Sequence, residues 1–139
     1  MADGAPARGA MKAGLVYFAI VFAVGAALGP LRELVLAPRL GELGALLVEA
    51  PAMLAATFLT AGWLVRRFAL ADRKAAALGA GLVAFAALSA VELLGAIALR
   101  GLAPSAYLAR FATTPGLISL TLFVLFALMP AIRAHRRDR

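Results

Sequence analysis

Two glutamates lie inside long apolar segments of this 139-residue chain, and they are its strongest candidates for chemistry. Glu49 is the only charged residue between Leu43 and Val65, and Glu92 is the only one between Ala75 and Leu99. A charged side chain inside a membrane-spanning helix costs about 3 kcal/mol or more, so it usually faces protein or water. Each glutamate is therefore predicted to have a polar environment.

The two glutamates are also predicted to lie at a similar depth in the membrane, since each is about two helical turns from the same side of the predicted helical bundle. Further charged residues lie near that side, and Glu42 among them suits a helix N-terminus, where the helix dipole favours a carboxylate. These residues predict one polar cluster, which consists of Arg32, Arg39, Glu42, Glu49, Glu92 and Arg100.

This predicted cluster has a structural and a functional interpretation. In the structural one, each glutamate pairs with an arginine, for which Arg32, Arg39 and Arg100 are available, and fixes a loop to the bundle. In the functional one, the carboxylates handle protons or cations or bind a charged ligand. The structural interpretation is favoured because the arginines are so close in the sequence.

Other kinds of chemistry lack the residues they need. The chain has no cysteine and one histidine, His135, and it contains no nucleophile–base motif, phosphate loop or dinucleotide fingerprint. Glutamates alone, without histidine or cysteine, do not make up a recognisable set of metal ligands. The sequence therefore predicts a protein that is not an enzyme and that has no catalytic residues, metal site or cofactor.

Composition places these residues in a membrane. Apolar residues make up 64% of the chain and the mean hydropathy is +0.95, whereas soluble domains contain about 45–50% apolar residues. The net charge of +7 arises from residues that flank the apolar segments. We expect these residues to meet lipid headgroups, not nucleic acid, so membrane lipid is the predicted partner.

Four segments are long enough to span a bilayer as helices, which takes about 20 apolar residues each. They predict an all-α integral membrane bundle with helices over about 13–29, 43–65, 75–99 and 115–132. Residues 1–12 are predicted to be a disordered tail and residues 133–139 a basic tail. Thr114 is expected to cap the fourth helix, with Pro115 at its first position.

The distribution of basic residues predicts the orientation of the bundle. Ten of the 14 lysines and arginines lie in the two tails or between the second and third helices. The positive-inside rule then places both termini in the cytoplasm, and Trp63 is expected to anchor at that interface. Alternatively, the first helix is a secretory signal peptide with small residues near Gly25, although its apolar run is longer than usual.

The connection between the first two helices, from Gly29 to Pro51, is amphipathic and rich in charge. Pro38 and Gly41 are expected to break it into a short interfacial helix, a turn and the second spanning helix. The segment from just before Gly29 to Leu54 resembles a family of small four-helix bacterial inner-membrane proteins with no assigned activity. The matching residues are Arg32, Pro38, Arg39, Gly41, Glu42, Glu49 and Pro51, and the resemblance covers about a fifth of the chain.

A four-helix bundle of this size encloses few side chains, so a transport path through one copy is hard to build. The predicted function is therefore that of a structural or accessory membrane protein, which acts through helix contacts and the polar cluster within a homo-oligomer or a larger membrane complex. The alternative is a small oligomeric transporter or channel for protons or cations that uses Glu49 and Glu92.

Overall fold

The computed structural model describes residues 4–137 of the chain, and side chains from Arg8 to Arg136. That part of the chain is helical apart from short connections. The elements are α1 (Gly4–Leu31), a π-helical turn (Arg32–Leu36), α2 (Ala37–Arg67), α3 (Lys74–Arg100), α4 (Pro104–Ala109), a 3-10 turn (Arg110–Ala112) and α5 (Thr114–Arg137). The prediction of an all-α protein is confirmed.

In the described part of the chain, three stretches are long and apolar enough to cross a membrane, and the first of them contains two of the predicted spans. They are Arg8–Arg67, Lys74–Arg100 and Thr114–Arg136. Gly41 interrupts the first stretch with φ 76° and ψ 171°, a conformation that essentially only glycine adopts. The chain doubles back there, so that Gly25 in α1 faces Met53 in α2.

Both ends of the described chain are more helical than the sequence predicts. α1 begins at Gly4, so residues 4–12 are helical where a disordered tail is predicted. α5 continues to Arg137 into the predicted basic tail. Residues 1–3 and 138–139 of the predicted tails lie outside the described part.

Two local predictions also need correction. Pro38 does not break the connection, because it lies in the first turn of α2, where a missing N–H is tolerated; the break is at Gly41 alone. The cap of α5 is Thr113 instead of Thr114, since the Thr113 hydroxyl accepts a hydrogen bond of 3.2 Å from the Gly116 N–H. Thr113 has the extended backbone typical of such a cap.

The four long helices form a ring in which α1 contacts α3, α3 contacts α5, α5 contacts α2, and α2 contacts α1. α2 and α3 therefore face each other across the bundle although only a short turn joins them. The chain runs in the same direction in α1 and α3, and in the opposite direction in α2 and α5. The contacts of α1 with α3 and of α2 with α5 thus join long helices that are not consecutive in sequence.

The core occupies one half of the bundle, which we call the basic half: residues 8–22, 57–84 and 125–136, next to most of the lysines and arginines. The remaining residues, 23–56 and 85–124, form the far half. The large buried cluster belongs to the basic half, and it consists of Ala13, Tyr17, Val21, Ala61, Leu64, Val65, Leu70, Ala77, Ala80, Ala84, Phe126, Met129 and Ala134. In the far half, the buried hydrophobic residues among those described are Ala45, Leu46, Ala96 and Tyr107.

Candidate functional site

The π-helical turn places Arg32 opposite α2, where its guanidinium bridges two carboxylates. Arg32 Nη1 lies 3.2 Å from Glu49 Oε2, and Arg32 Nη2 lies 3.0 Å from Glu33 Oε1. The Glu49 side chain is only 10% exposed, the Arg32 side chain 31%, and the Glu33 side chain 57%. Arg32 is thus the arginine that neutralises Glu49, and the pair joins the end of α1 to α2.

This pair has the geometry of a structural contact. Each interaction uses one nitrogen of the guanidinium, so one cation serves two carboxylates and holds the reversal of the chain around Gly41. Because Glu49 is the less exposed partner, loss of Arg32 would leave a carboxylate with little water around it. Glu33 was absent from the predicted cluster, and its position next to Arg32 in sequence was the signal that pointed to it.

Glu92 is separate from this pair. Its side chain is exposed on α3, and it forms no hydrogen bond or ion pair with any described side chain. Its charge acts on Tyr107 of α4, whose pKa is raised from 10.0 mainly by burial and additionally by Glu92, while Arg110 opposes this increase. α3 and α4 are in contact, and the Glu92 charge is close enough to act on this buried phenol.

Aromatic contacts attach α4 to the rest of the far half. The Tyr107 ring meets Phe111 edge to face at 5.4 Å, and Phe111 meets Phe123 of α5 at 6.3 Å. This chain of three rings links α4 to α5 through the 3-10 turn. It keeps the polar end of Tyr107 near α3 by packing, without a hydrogen bond in the described part of the chain.

The other members of the predicted cluster are not brought together. Arg39, Glu42 and Arg100 are exposed, and none of them forms an ion pair with a described residue. Glu42 follows the break at Gly41 directly, as its predicted place at a helix start requires. The prediction of one cluster with both glutamates is wrong, because α2 and α3 lie across the bundle from each other and the two carboxylates have different neighbours.

The sequence reasoning missed a polar contact at the centre of the basic half. The Tyr17 hydroxyl donates a hydrogen bond of 2.7 Å to the Phe126 carbonyl, and the two rings stack at 4.5 Å. Pro130 lies four residues after Phe126 and has no N–H to bond that carbonyl. Tyr17 of α1 thus satisfies a backbone group that a buried proline in α5 leaves free, and Pro130 was the signal for it.

Arg133 of α5 is the second residue that was missed, since the sequence places it in the basic tail. Its guanidinium lies 4.0 Å from the centre of the Phe58 ring of α2. Its Nε is buried and has no hydrogen-bond partner in the described part of the chain. Arg133 therefore lies between two helices with its charge unpaired by any described residue.

Two depressions of about 430 and 350 Å³ are open to the surface and lie on single helices, one on α1 from Arg8 to Ala19 and one on α5 from Leu128 to Arg136. No three histidine, aspartate or glutamate residues in the described part are grouped so that they could hold a metal ion. The arrangement suits contacts at the surface of the bundle better than chemistry inside it.

Comparison with known proteins adds no further information. No protein-family model matches the chain, and neither a curated protein nor a solved structure is significantly similar to it. The resemblance of the Gly29–Pro51 region to small bacterial inner-membrane proteins stays a prediction. The function has to be argued from the side chains themselves.

Proposed function

We propose that this chain is an integral membrane protein with four transmembrane helices, which acts as a structural or accessory subunit by binding other transmembrane helices through its far half. Four spans follow if the Arg8–Arg67 stretch crosses the membrane twice. Three features support this: the break at Gly41, the contact of α1 with α2, and the Arg32–Glu49 pair that holds the reversal. The basic half then faces the cytoplasm with both termini.

The exposed and unpaired carboxylate of Glu92 carries the proposal. Glu92 lies eight residues before the end of α3 at Arg100, which corresponds to about 12 Å along the helix axis. At that depth a carboxylate facing lipid costs about 3 kcal/mol or more. A basic or hydrogen-bonding group of another helix would remove this cost, so the far half is better suited to an assembly than to an isolated copy.

The apolar surface around Glu92 supports the same proposal. α3 exposes Val91, Leu94, Ile97 and Leu99 near this carboxylate, and the far half buries few of its own side chains. Without a hydrophobic driving force in lipid, helices associate through close packing and polar contacts. An unpaired carboxylate among exposed apolar side chains provides both the polar contact and the surface.

A second candidate function rests on the same residue. If several copies placed Glu92 at a shared interface, their carboxylates would line a path for protons or cations that one copy lacks. Glu49 would not contribute to it, because Arg32 already neutralises that carboxylate. This candidate thus requires a homo-oligomer and a role for Glu92 alone.

Photocrosslinking in native membranes tests the accessory role. We would place a photoreactive residue at Leu94, which is 64% exposed in the far half of α3, and, as a matched control, at Leu82, which is 53% exposed in the basic half. We expect crosslinks at position 94, weaker ones at 82, and loss of the crosslinks at 94 with Glu92→Gln. Equal crosslinking at both positions, or none with a monomer in native mass spectrometry, would contradict the proposal.

The crosslinked species distinguishes the two candidate functions. A different protein at fixed stoichiometry identifies an accessory subunit. Crosslinks between identical copies, together with a proton or cation flux in liposomes that Glu92→Gln abolishes and Glu49→Gln preserves in the folded fraction, identify the transporter. Crosslinks between identical copies without a proton or cation flux would identify a structural homo-oligomer.

A further inference from the structure

Arg133 lies in a site that two helices build around its side chain. Its guanidinium carbon lies over the Phe58 ring, 4.0 Å from the ring centre. Next to Phe58 on the same face of α2 is Gly62, and a Cβ atom added there would lie only 2.8 Å from Arg133 Nε. The absence of a side chain at Gly62 is therefore what lets the arginine lie flat against α2.

The charge of Arg133 is not neutralised by the described part of the protein. No described carboxylate lies within ion-pair distance of it, and its buried Nε has no hydrogen-bond partner there. Arg32, in contrast, contacts two carboxylates. Stacking on an aromatic ring stabilises a guanidinium by about 0.5–2 kcal/mol, but it leaves all the N–H donors unused.

A neighbouring arginine makes this site attractive to anions. Arg66 lies one turn beyond Gly62 on α2 and is exposed. α2 and α5 run in the same direction and are in contact. Because helical side chains lean towards the N-terminus of their helix, the Arg133 side chain leans towards the core and away from the chain end.

We propose that Arg133, held against Phe58 and Gly62, binds a phosphate group, which is supplied either by the headgroup of an anionic phospholipid or by free phosphate. A guanidinium presents its N–H donors in a planar fork that matches the oxygens of a phosphate. The ring and the bare glycine surface hold the guanidinium in place in advance. The phosphate provides the charge and the acceptors that the described protein groups lack.

Native mass spectrometry of the full-length protein in mild detergent tests the site. We would titrate the protein with phosphatidylglycerol and, separately, with phosphatidylcholine. Wild type is expected to retain phosphatidylglycerol about tenfold better than Arg133→Gln, because charge-assisted hydrogen bonds are lost. Arg133→Met is the second variant, since its apolar stem still packs on Phe58 and keeps the helices together if the glutamine variant folds poorly.

Arg136→Gln is the matched control, since it removes the same charge from an exposed position on the same helix. It is expected to retain the lipid within about twofold of wild type, as an exposed charge contributes little. Equal losses in the Arg133 and Arg136 variants would show a general effect of positive charge and overturn the proposal. Equal retention of phosphatidylcholine and phosphatidylglycerol in all variants would show that the phosphate does not come from an anionic phospholipid.

Thermal unfolding with added inorganic phosphate tests the other source. We expect phosphate to raise the unfolding temperature of wild type and of Arg136→Gln, whereas chloride at equal ionic strength does not. If this stabilisation is lost in both Arg133 variants, the result supports a site for free phosphate. If neither phosphatidylglycerol nor inorganic phosphate distinguishes wild type from the Arg133 variants, the proposal is wrong.

Discussion

The two halves of the bundle differ in how closely their helices approach. In the basic half, a Cβ atom on Gly14 would lie 2.8 Å from Val83 Cβ, and one on Gly81 would lie 2.9 Å from the Ala127 carbonyl carbon. In the far half, a Cβ atom on Gly25 would lie 3.6 Å from Met53 Cε, an ordinary contact, and Gly29, Gly41 and Gly95 have no atom within 4 Å of such a position. The same helices thus approach each other more closely at one end than at the other.

This difference assigns a separate role to each half. The basic half combines small residues, stacked rings and a hydrogen bond across the bundle, which are the contacts that hold helices together in lipid. The far half leaves charged and apolar side chains exposed, apart from the Arg32–Glu49 pair. Stability is therefore expected to come mainly from the basic half, while the far half keeps a surface available for a partner.

The largest expected effect comes from two glycines of α3 that receive the same substitution. Gly81→Ala should destabilise the bundle by about 2–3 kcal/mol, because the added methyl meets the backbone of Ala127 and forces α5 away. Gly95→Ala should be neutral or stabilising by up to about 1 kcal/mol, since it gains helix propensity in open space. Unfolding in detergent measures both variants, and equal destabilisation would remove the distinction between the halves.

The ion pair tests whether the far half has any fixed structure of its own. Arg32→Gln should cost about 1–3 kcal/mol, because it leaves the nearly buried Glu49 carboxylate unpaired. The double variant Arg32→Gln with Glu49→Gln should recover much of this loss. Arg39→Gln is the control, since Arg39 is exposed and forms no ion pair with a described residue. Equal losses of stability in the Arg32 and Arg39 variants would contradict the ion pair between Arg32 and Glu49.

The bond from Tyr17 tests the basic half in the same way. Tyr17→Phe keeps the stacked ring but leaves the Phe126 carbonyl without its donor, which should cost about 1–2 kcal/mol. With Pro130→Ala, the new N–H at position 130 can bond that carbonyl, so the cost of Tyr17→Phe should fall towards zero. A double-mutant cycle in unfolding experiments measures this coupling, and additive effects would show that Pro130 is not the cause.

The smallest effect concerns the position of Glu92. Its charge raises the pKa of Tyr107 beyond the larger effect of burial, so Glu92→Gln should lower that pKa while leaving it above 10.0. The sign follows because a nearby negative charge disfavours the phenolate. Ultraviolet titration in a Tyr17→Phe background measures Tyr107 alone. An unchanged pKa in Glu92→Gln would show that α4 does not lie against α3 at this depth.

Much of the fold could be predicted from the sequence, because the apolar segments and their flanking charges are local properties. The end of α2, both boundaries of α3 and the break at Gly41 were recognisable for this reason. The candidate site could be predicted only in part. Glu49 was correctly expected to have an arginine partner, but Glu92 was wrongly grouped with it, since equal depth does not say which side of a bundle a residue faces.

The sequence by itself determined that this chain is helical, that its helices are apolar enough to cross a membrane, and that its basic residues collect at one end. These properties depend on residue type and on spacing along the chain. Only the tertiary structure decided the ring order of the helices, the donor for the carbonyl left free by Pro130, and the isolation of Arg133 and Glu92. Those depend on distances between residues far apart in sequence, and such distances are fixed by how closely small side chains let whole helices approach.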